Sequence, residues 1–368
     1  MTATATPQGP DSSGPDSSGI DSAAADAHEV GPTPTPTPLP APRRSGAGAW
    51  ARWIGRRILL AILTLWACSV IVFLATAALG DPVRAILGKD YGTSPERVAT
   101  LREQLQLDEP ILIRYFSWLG NLVTGDPGTS IANQQPVWDL IGPRIANSAV
   151  LVLIAAIVMV PLAIGIAMIS AHYRGKRADG VIQVVLLTLA GLPEFVIGIL
   201  LVAFFSTTVM HVLPAVTIAG GGRPPWANPA SMILPVVTLV LAVAPYVSRI
   251  VRSSLLEVLD SDYVELARLK GVPEGIVMRK HALLNAIVPG IQVIALQFAW
   301  LAGGIVIVEY LFSYPGVGAS LVDSVRNSDF PMVQALAMTL AAVYVGVNLI
   351  ADILSILFTP RARTAISS

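Results

Sequence analysis

The sequence predicts an all-α membrane protein with six transmembrane helices, and three observations lead there. Of its 368 residues, 54% are hydrophobic and only 13% charged, outside the range of a soluble domain. The apolar residues gather in six runs, near 58–80, 148–171, 180–208, 232–251, 287–312 and 332–358, each of about the length that crosses a bilayer. The basic residues, finally, crowd into alternate short loops. The formal net charge is zero, so no basic surplus argues for nucleic acid. Cys68 is the one cysteine, which rules out an internal disulfide and a thiolate cluster. His28, His172, His211 and His281 show no metal-ligand spacing, and no metal site is expected.

Residues 1–50 form a tail rich in Pro, Ser and Thr, including "GPTPTPTPLPAP". Such a composition cannot bury a core, and a disordered cytoplasmic segment is expected. It lacks the basic start and apolar centre of a signal peptide. Arg43, Arg44, Arg52, Arg56 and Arg57 precede the first span. A long loop, 81–147, follows it and carries more acid than base. Within that loop Ser94 and Pro95 open a helix that sets Val98, Leu101 and Leu105 on one face. A second helix places Leu112, Tyr115, Phe116, Leu119, Leu122 and Val123 at helical spacing. Lying on the outer membrane surface and packing against the spans fit that pattern equally.

Orientation follows from the short loops, because basic residues stay in the cytoplasm. Arg174, Lys176 and Arg177 occupy one loop, Arg249, Arg252, Arg268, Lys270, Arg279 and Lys280 surround another, and Arg361 and Arg363 close the chain. The alternate loops, 209–231 and 313–331, hold only Arg223 and Arg326. Both termini and the 252–286 loop are therefore expected in the cytoplasm.

No phosphate-binding loop is present: "LGKDY" around Lys89 lacks the earlier glycine and the hydroxyl residue. The chain is not expected to be an enzyme or to hydrolyse ATP. What it does carry is a polar break, "DSDYVELARLKGVPEGIVMRKHALL", between two greasy runs. Asp260 and Ser261 offer caps for a helix that Gly271 ends in a left-handed turn. Pro273 and Glu274 suit the start of a second short helix, and Gly275 leaves one position bare. A solvated loop held near anionic lipid by its bases would need neither caps nor a Gly-then-Pro joint.

These residues resemble the membrane-spanning permease subunits of ABC importers, in the dipeptide, oligopeptide and nickel branch. The cytoplasmic motif of that family stands here as Glu265, Leu266, Ala267 and Gly271, with Leu266 departing from the usual alanine. "RKHALLNAIVP" (279–289), "EYLFSYPGVG" (309–318) and "LDEPILIRYFSWLGNLVTGDPGTS" (107–130) look like the same branch, so the likeness covers about 55–360. It implies a type I ABC importer permease architecture over 55–360, with 252–286 as the loop that couples to the ATPase. The implied coupling residues are Glu265, Ala267, Gly271, Val272, Pro273, Glu274, Gly275, Arg279 and His281. It also implies a second permease subunit, two ATPase subunits that bind ATP and Mg, and an extracytoplasmic solute-binding protein. This chain itself would hold no cofactor.

Two acids inside the spans are candidates for the translocation pathway. Glu194 follows Pro193 in the third span, where a carboxylate is costly unless it faces protein, water or a partner. Lining the route and a structural role have even standing there. Glu309 lies at the outer end of the fifth span, before "SYPGVG", and is expected to order the outer gate. Asn348 and Asp352, four positions apart in the last span, share a helix face and are expected to bond each other or a neighbouring helix. An ion-coupled secondary transporter is the rival function, yet no internal repeat is evident. A membrane-embedded enzyme lacks a paired nucleophile and base. The solute, whether dipeptide, oligopeptide, nickel chelate or another, stays open.

Overall fold

The computed structural model describes residues 47–78, 83, 87, 95–104, 107–217 and 223–358. The tail expected over 1–50 lies outside the described residues except for 47–50, which already belong to the first helix. Ser94, Arg361 and Arg363 are also outside them.

The described chain is helical, with an isolated β-bridge between Thr129 and Pro136. Helix α1 is Ala47–Ala78, followed by two helices of the long loop, α2 (Pro95–Gln104) and α3 (Ile111–Thr124). Next come α4 (Val137–His172), α5 (Arg177–Gly191) and α6 (Glu194–Val202), which runs on as a π-helical turn. The chain continues through α7 (Pro229–Leu259), α8 (Asp262–Leu269), the one-turn α9 (Glu274–Ile276), α10 (Leu283–Leu311), α11 (Val317–Arg326) and α12 (Phe330–Phe358). By length and composition four of these, α1, α4, α7 and α12, can cross a membrane, and five can if α5 and α6 count as one bent span. α10, a helix of 29 residues, covers the stretch expected as the fifth span.

The stretch 180–208 is not one straight span. α5 and α6 meet at 105°. Leu192 is extended (φ −90°, ψ 133°) and Pro193 follows it at φ −59°, ψ 144°. Proline has no N–H for the preceding turn and pushes the residue before it out of the helical region, so the helix must stop and restart there.

α7 is the centre of the fold. Of its apolar window 67% is buried, against 28% for α4 and 11% for α1 and for α12. Its buried residues Leu239, Val243, Val247, Val251 and Leu255 recur every four positions, and so do Leu151, Ala155, Met159, Ala163, Ala167 and Ala171 on α4. Rows spaced by four form ridges that fit between the ridges of a neighbour. Alanine dominates the α4 row, and small side chains let helix backbones come close where lipid offers no hydrophobic drive. α7 also packs against α5, α6 and α10, whereas α1 is held by α12.

The α1–α12 contact is tied at both ends. Arg57 pairs with Asp352 at 2.6 Å, and Gln334 Nε2 donates to Thr76 Oγ1 at 2.8 Å. Asp352 thus bonds a neighbouring helix, while Asn348 donates back to the Tyr344 carbonyl at 3.0 Å. α3 packs against the first span along one face. Its Tyr115 is buried against Phe73 of α1 and bonds Ser69 at 2.8 Å, while Leu112, Phe116 and Val123 stay exposed on the other face. Asp329, 1% exposed, joins the long loop to the start of α12: Ser130 Oγ and the amides of Ile131 (3.1 Å) and Ala132 (3.3 Å) donate to its carboxylate, as does Met332 N (3.4 Å).

α11 lies on α10 with no space between them: a Cβ added to Gly318 would overlap the Val306 backbone. Gly318→Ala is therefore expected to destabilise the protein by about 1–3 kcal/mol, the usual cost of overpacking. A lowered unfolding midpoint in a detergent melting assay checks this, with Gly346→Ala, at an open position on α12, expected to leave the midpoint unchanged.

Candidate functional site

The polar break folds as a rigid joint. α8 ends at Leu269, Lys270 follows as its C-cap, and Gly271 takes φ +77°. Val272 N then reaches the Ala267 carbonyl at 3.1 Å and Gly271 N the Arg268 carbonyl at 2.9 Å. That pair of reversed bonds closes the last turn, and it needs the left-handed residue that glycine supplies without strain. Pro273 (φ −59°, ψ 139°) comes before α9, and its carbonyl accepts from Ile276 N at 2.8 Å and Val277 N at 3.1 Å. α9 leads through a π-helical turn, Val277–Ala282, into α10.

The two expected caps act differently from their sequence role. Ser261 stands at the N-cap of α8 but its hydroxyl donates to the Val258 carbonyl. Asp260 instead takes both bonds from Arg174, at 2.7 and 2.9 Å. An aspartate is free to serve any nearby donor, and the guanidinium on the facing loop is a stronger one than a backbone amide.

Side chains brace the joint. Arg268 donates to Glu274 at 3.1 and 2.8 Å and to the Leu259 carbonyl at 3.2 Å, tying α8, α9 and the end of α7. The hydrogen bond from Arg268 holds the Glu274 carboxyl below its usual range, and the same bond raises the Arg268 guanidinium. Tyr263 donates to the His281 carbonyl at 3.1 Å and accepts from Asn285 at 2.9 Å. Val264, Ala267, Val277, Met278 and Ala282 bury into the core beneath, and Val272 and His281 are half-buried. Glu265, Glu274, Gly275 and Arg279 face out. Among these charges three large apolar side chains are also outward: Leu269 is 77% exposed, Leu266 57% and Ile276 44%.

Glu309 is fully buried near the C-terminal end of α10. Its carboxylate accepts from Gly318 N at 2.7 Å, Ala319 N at 3.3 Å and the hydroxyl of Ser148. Gly318 and Ala319 are the second and third residues of α11, so a residue remote in sequence does the work of an N-cap. A Cβ on Gly316 would overlap that carboxylate. The turn is also fastened to α4, where Asn147 donates to the Pro315 carbonyl and accepts at its own carbonyl from Tyr314, both at 2.8 Å. Glu194 is far from this cluster in sequence and setting. It is half-buried in the first turn of α6, with Oε1 beside the Gly304 backbone of α10.

Three groups that the sequence alone did not single out for a role matter here. Asn147 and Ser148 sit at the start of an apolar run, and a polar pair at that position was the available signal. Asp329 just before "FP" could have been read as a helix cap. The third is Asp179, 7% exposed, which accepts from Arg252 Nε at 3.0 Å and Nη2 at 2.6 Å, from Ser170 at 2.6 Å and from Gly175 N at 3.4 Å. Little local marks Asp179, because apart from the nearby Gly175 amide its partners come from α4 and α7.

Residues 163–364 match the family described as "Binding-protein-dependent transport system inner membrane component", and 50–153 match its N-terminal companion. The chain belongs to this family. It is similar to the glutathione transport system permease protein GsiC of Salmonella choleraesuis (strain SC-B67), with 36% identity over 311 residues, 84% of this chain and 97% of that protein. GsiC of Escherichia coli (strain K12) is 35% identical over 309 residues, with the same coverage. This chain is thus an ABC importer permease of the peptide and nickel branch, a multi-pass protein of the cytoplasmic membrane and not an enzyme. Membership implies a membrane-embedded complex with ATPase and binding-protein partners.

Gly271→Val is expected to strain the joint by about 1–3 kcal/mol and to open the 262–282 loop to limited proteolysis. Gly271→Asn, which tolerates the left-handed region, should be cleaved much more slowly than the valine variant.

Proposed function

We propose that this chain is one of two permease subunits in an ATP-driven importer of peptides or related small solutes. It would cross the membrane six times, with the 1–50 tail and both termini in the cytoplasm and the permease domain over 55–360. Two ATPase subunits would supply the ATP and Mg sites, and an extracytoplasmic binding protein would deliver the solute. No nucleic acid is involved. The relatives named for glutathione make a short peptide such as glutathione the first solute to test.

The observation that carries this reading is the outward face of the joint. Leu266, Leu269 and Ile276 are exposed on a braced, otherwise charged loop, and large apolar side chains so placed are a docking surface for protein. Ala267, Gly271, Val272 and Pro273 set the shape of that joint, Glu265, Glu274, Gly275, Arg279 and His281 border its face, and closure of the ATPases would push on it. Glu194 would line the route at the bend between α5 and α6, and Glu309 would act on it by holding the outer turn.

Replacing 273–280 with a Gly/Ser linker leaves every apolar span intact, so the chain should still insert. Association with the ATPase subunits and ATP-dependent uptake in proteoliposomes should both be lost. Uptake at the wild-type level, driven by an ion gradient without ATP, would instead establish the secondary transporter. Glu194→Gln should keep assembly while weakening uptake of cationic peptides more than neutral ones, and an equal loss for both would assign Glu194 a structural role.

A further inference from the structure

The Asp179–Arg252 pair joins three helices at one depth. Asp179 is in the first turn of α5, Arg252 is on α7, and Ser170, which also bonds Asp179, is on α4. Gln183 Nε2 donates to the same Ser170 hydroxyl at 2.9 Å, so α5 and α4 are fastened twice. The two side chains of the pair are only 10% and 19% exposed. A buried ion pair is poor evidence for stability, since an apolar pair of similar volume often does as well. What it provides is direction: a planar guanidinium fork on a carboxylate fixes both the register and the angle of the helices that carry them.

Position says what that register controls. Two turns after Arg252, α7 ends at Leu259 and the joint begins. Leu259 and Asp260 are held there by Arg268 and Arg174. At the other end, α5 runs 15 residues from the pair's turn to Gly191, roughly 22 Å of rigid rod, and stops at the bend whose next helix begins with Glu194. The last turns of α7 connect the joint to Asp179–Arg252, the ion pair that fastens α7 to α5.

We infer that Asp179 and Arg252 are positioning residues for transport, passing movement of the 262–282 joint to the α5–α6 bend. This rests on the importer reading above and goes beyond it, because docking of the ATPase does not require the pair. Spatial continuity alone does not prove coupling, so the test reads movement at the bend directly.

The complete complex, with Cys68→Ala and Glu194→Cys as reporter, is placed in lipid nanodiscs. The rate of maleimide labelling is compared without nucleotide and after trapping with Mg-ATP and vanadate. With the pair intact, trapping should change the rate. Asp179→Asn with Arg252→Gln removes both charges together, leaving neither buried alone. That variant should keep the ATPase subunits and their ATP hydrolysis but lose the labelling change. Arg252→Lys keeps the charge without the fork and should retain only part of the change, and it decides the matter if the double variant does not assemble. A labelling change as large as that of the intact pair, in whichever of these variants assembles, overturns the inference. Failure of the intact complex to hold its ATPase subunits would strike the importer reading instead.

Discussion

Backbone hydrogen bonding without water is the constraint on which this structure depends. Inside a bilayer each free N–H or C=O costs several kcal/mol, so every place where a helix stops must be served by the protein itself. The fold meets that demand with a small set of carboxylates and hydroxyls. Glu309 and Ser148 serve the first amides of α11, and Asp329, just before α12, serves the Ile131 and Ala132 amides of the long loop and the first turn of α12. These side chains lie 3 to 199 positions from the groups they serve. Gly316 of "SYPGVG" follows from the same demand, because a side chain there would occupy the space of the capping carboxylate.

The same need accounts for how the helices are graded from the middle outward. α7 carries most of its apolar surface against protein, while α1 and α12 keep theirs facing out. It is α7 that leads directly into the joint, and α10 that leads directly out of it. Both ends of the loop are thus continuous with the two helices that contact each other in the core.

Polar groups around the joint have a different character. Glu274 with Arg268 and Asp260 with Arg174 are exposed pairs, and such pairs add little stability in water. Their contribution is geometric, holding α8 and α9 as one body against the end of α7. Asp179 with Arg252, in contrast, is shielded from solvent, and its energy is sensitive to small displacements. The loop thus presents a braced face outward, and the ion pair nearby on α7 is the shielded one.

The spans of α1, α4, α7 and α12, the Gly271 turn and the helix–turn–helix of the polar break were legible from residue order alone. Each is set by local chemistry: apolar run length against bilayer thickness, the freedom of glycine at positive φ, and the missing N–H of proline. Proline at 193 also carried the signal for the bend, though not its 105° angle, because packing of α6 on α7 and α10 chooses the direction in which the restarted helix runs. The caps at Asp260 and Ser261 were legible as residue types and not as bonds, since Arg174 competes for one of them from another loop. The sequence by itself determined a multi-span helical protein with a jointed polar loop, because those properties depend on neighbours in the chain. Tertiary structure alone decided that Glu309 caps α11 and that Asp179 meets Arg252, 73 positions away, because a buried charge is defined by the partners that folding brings to it.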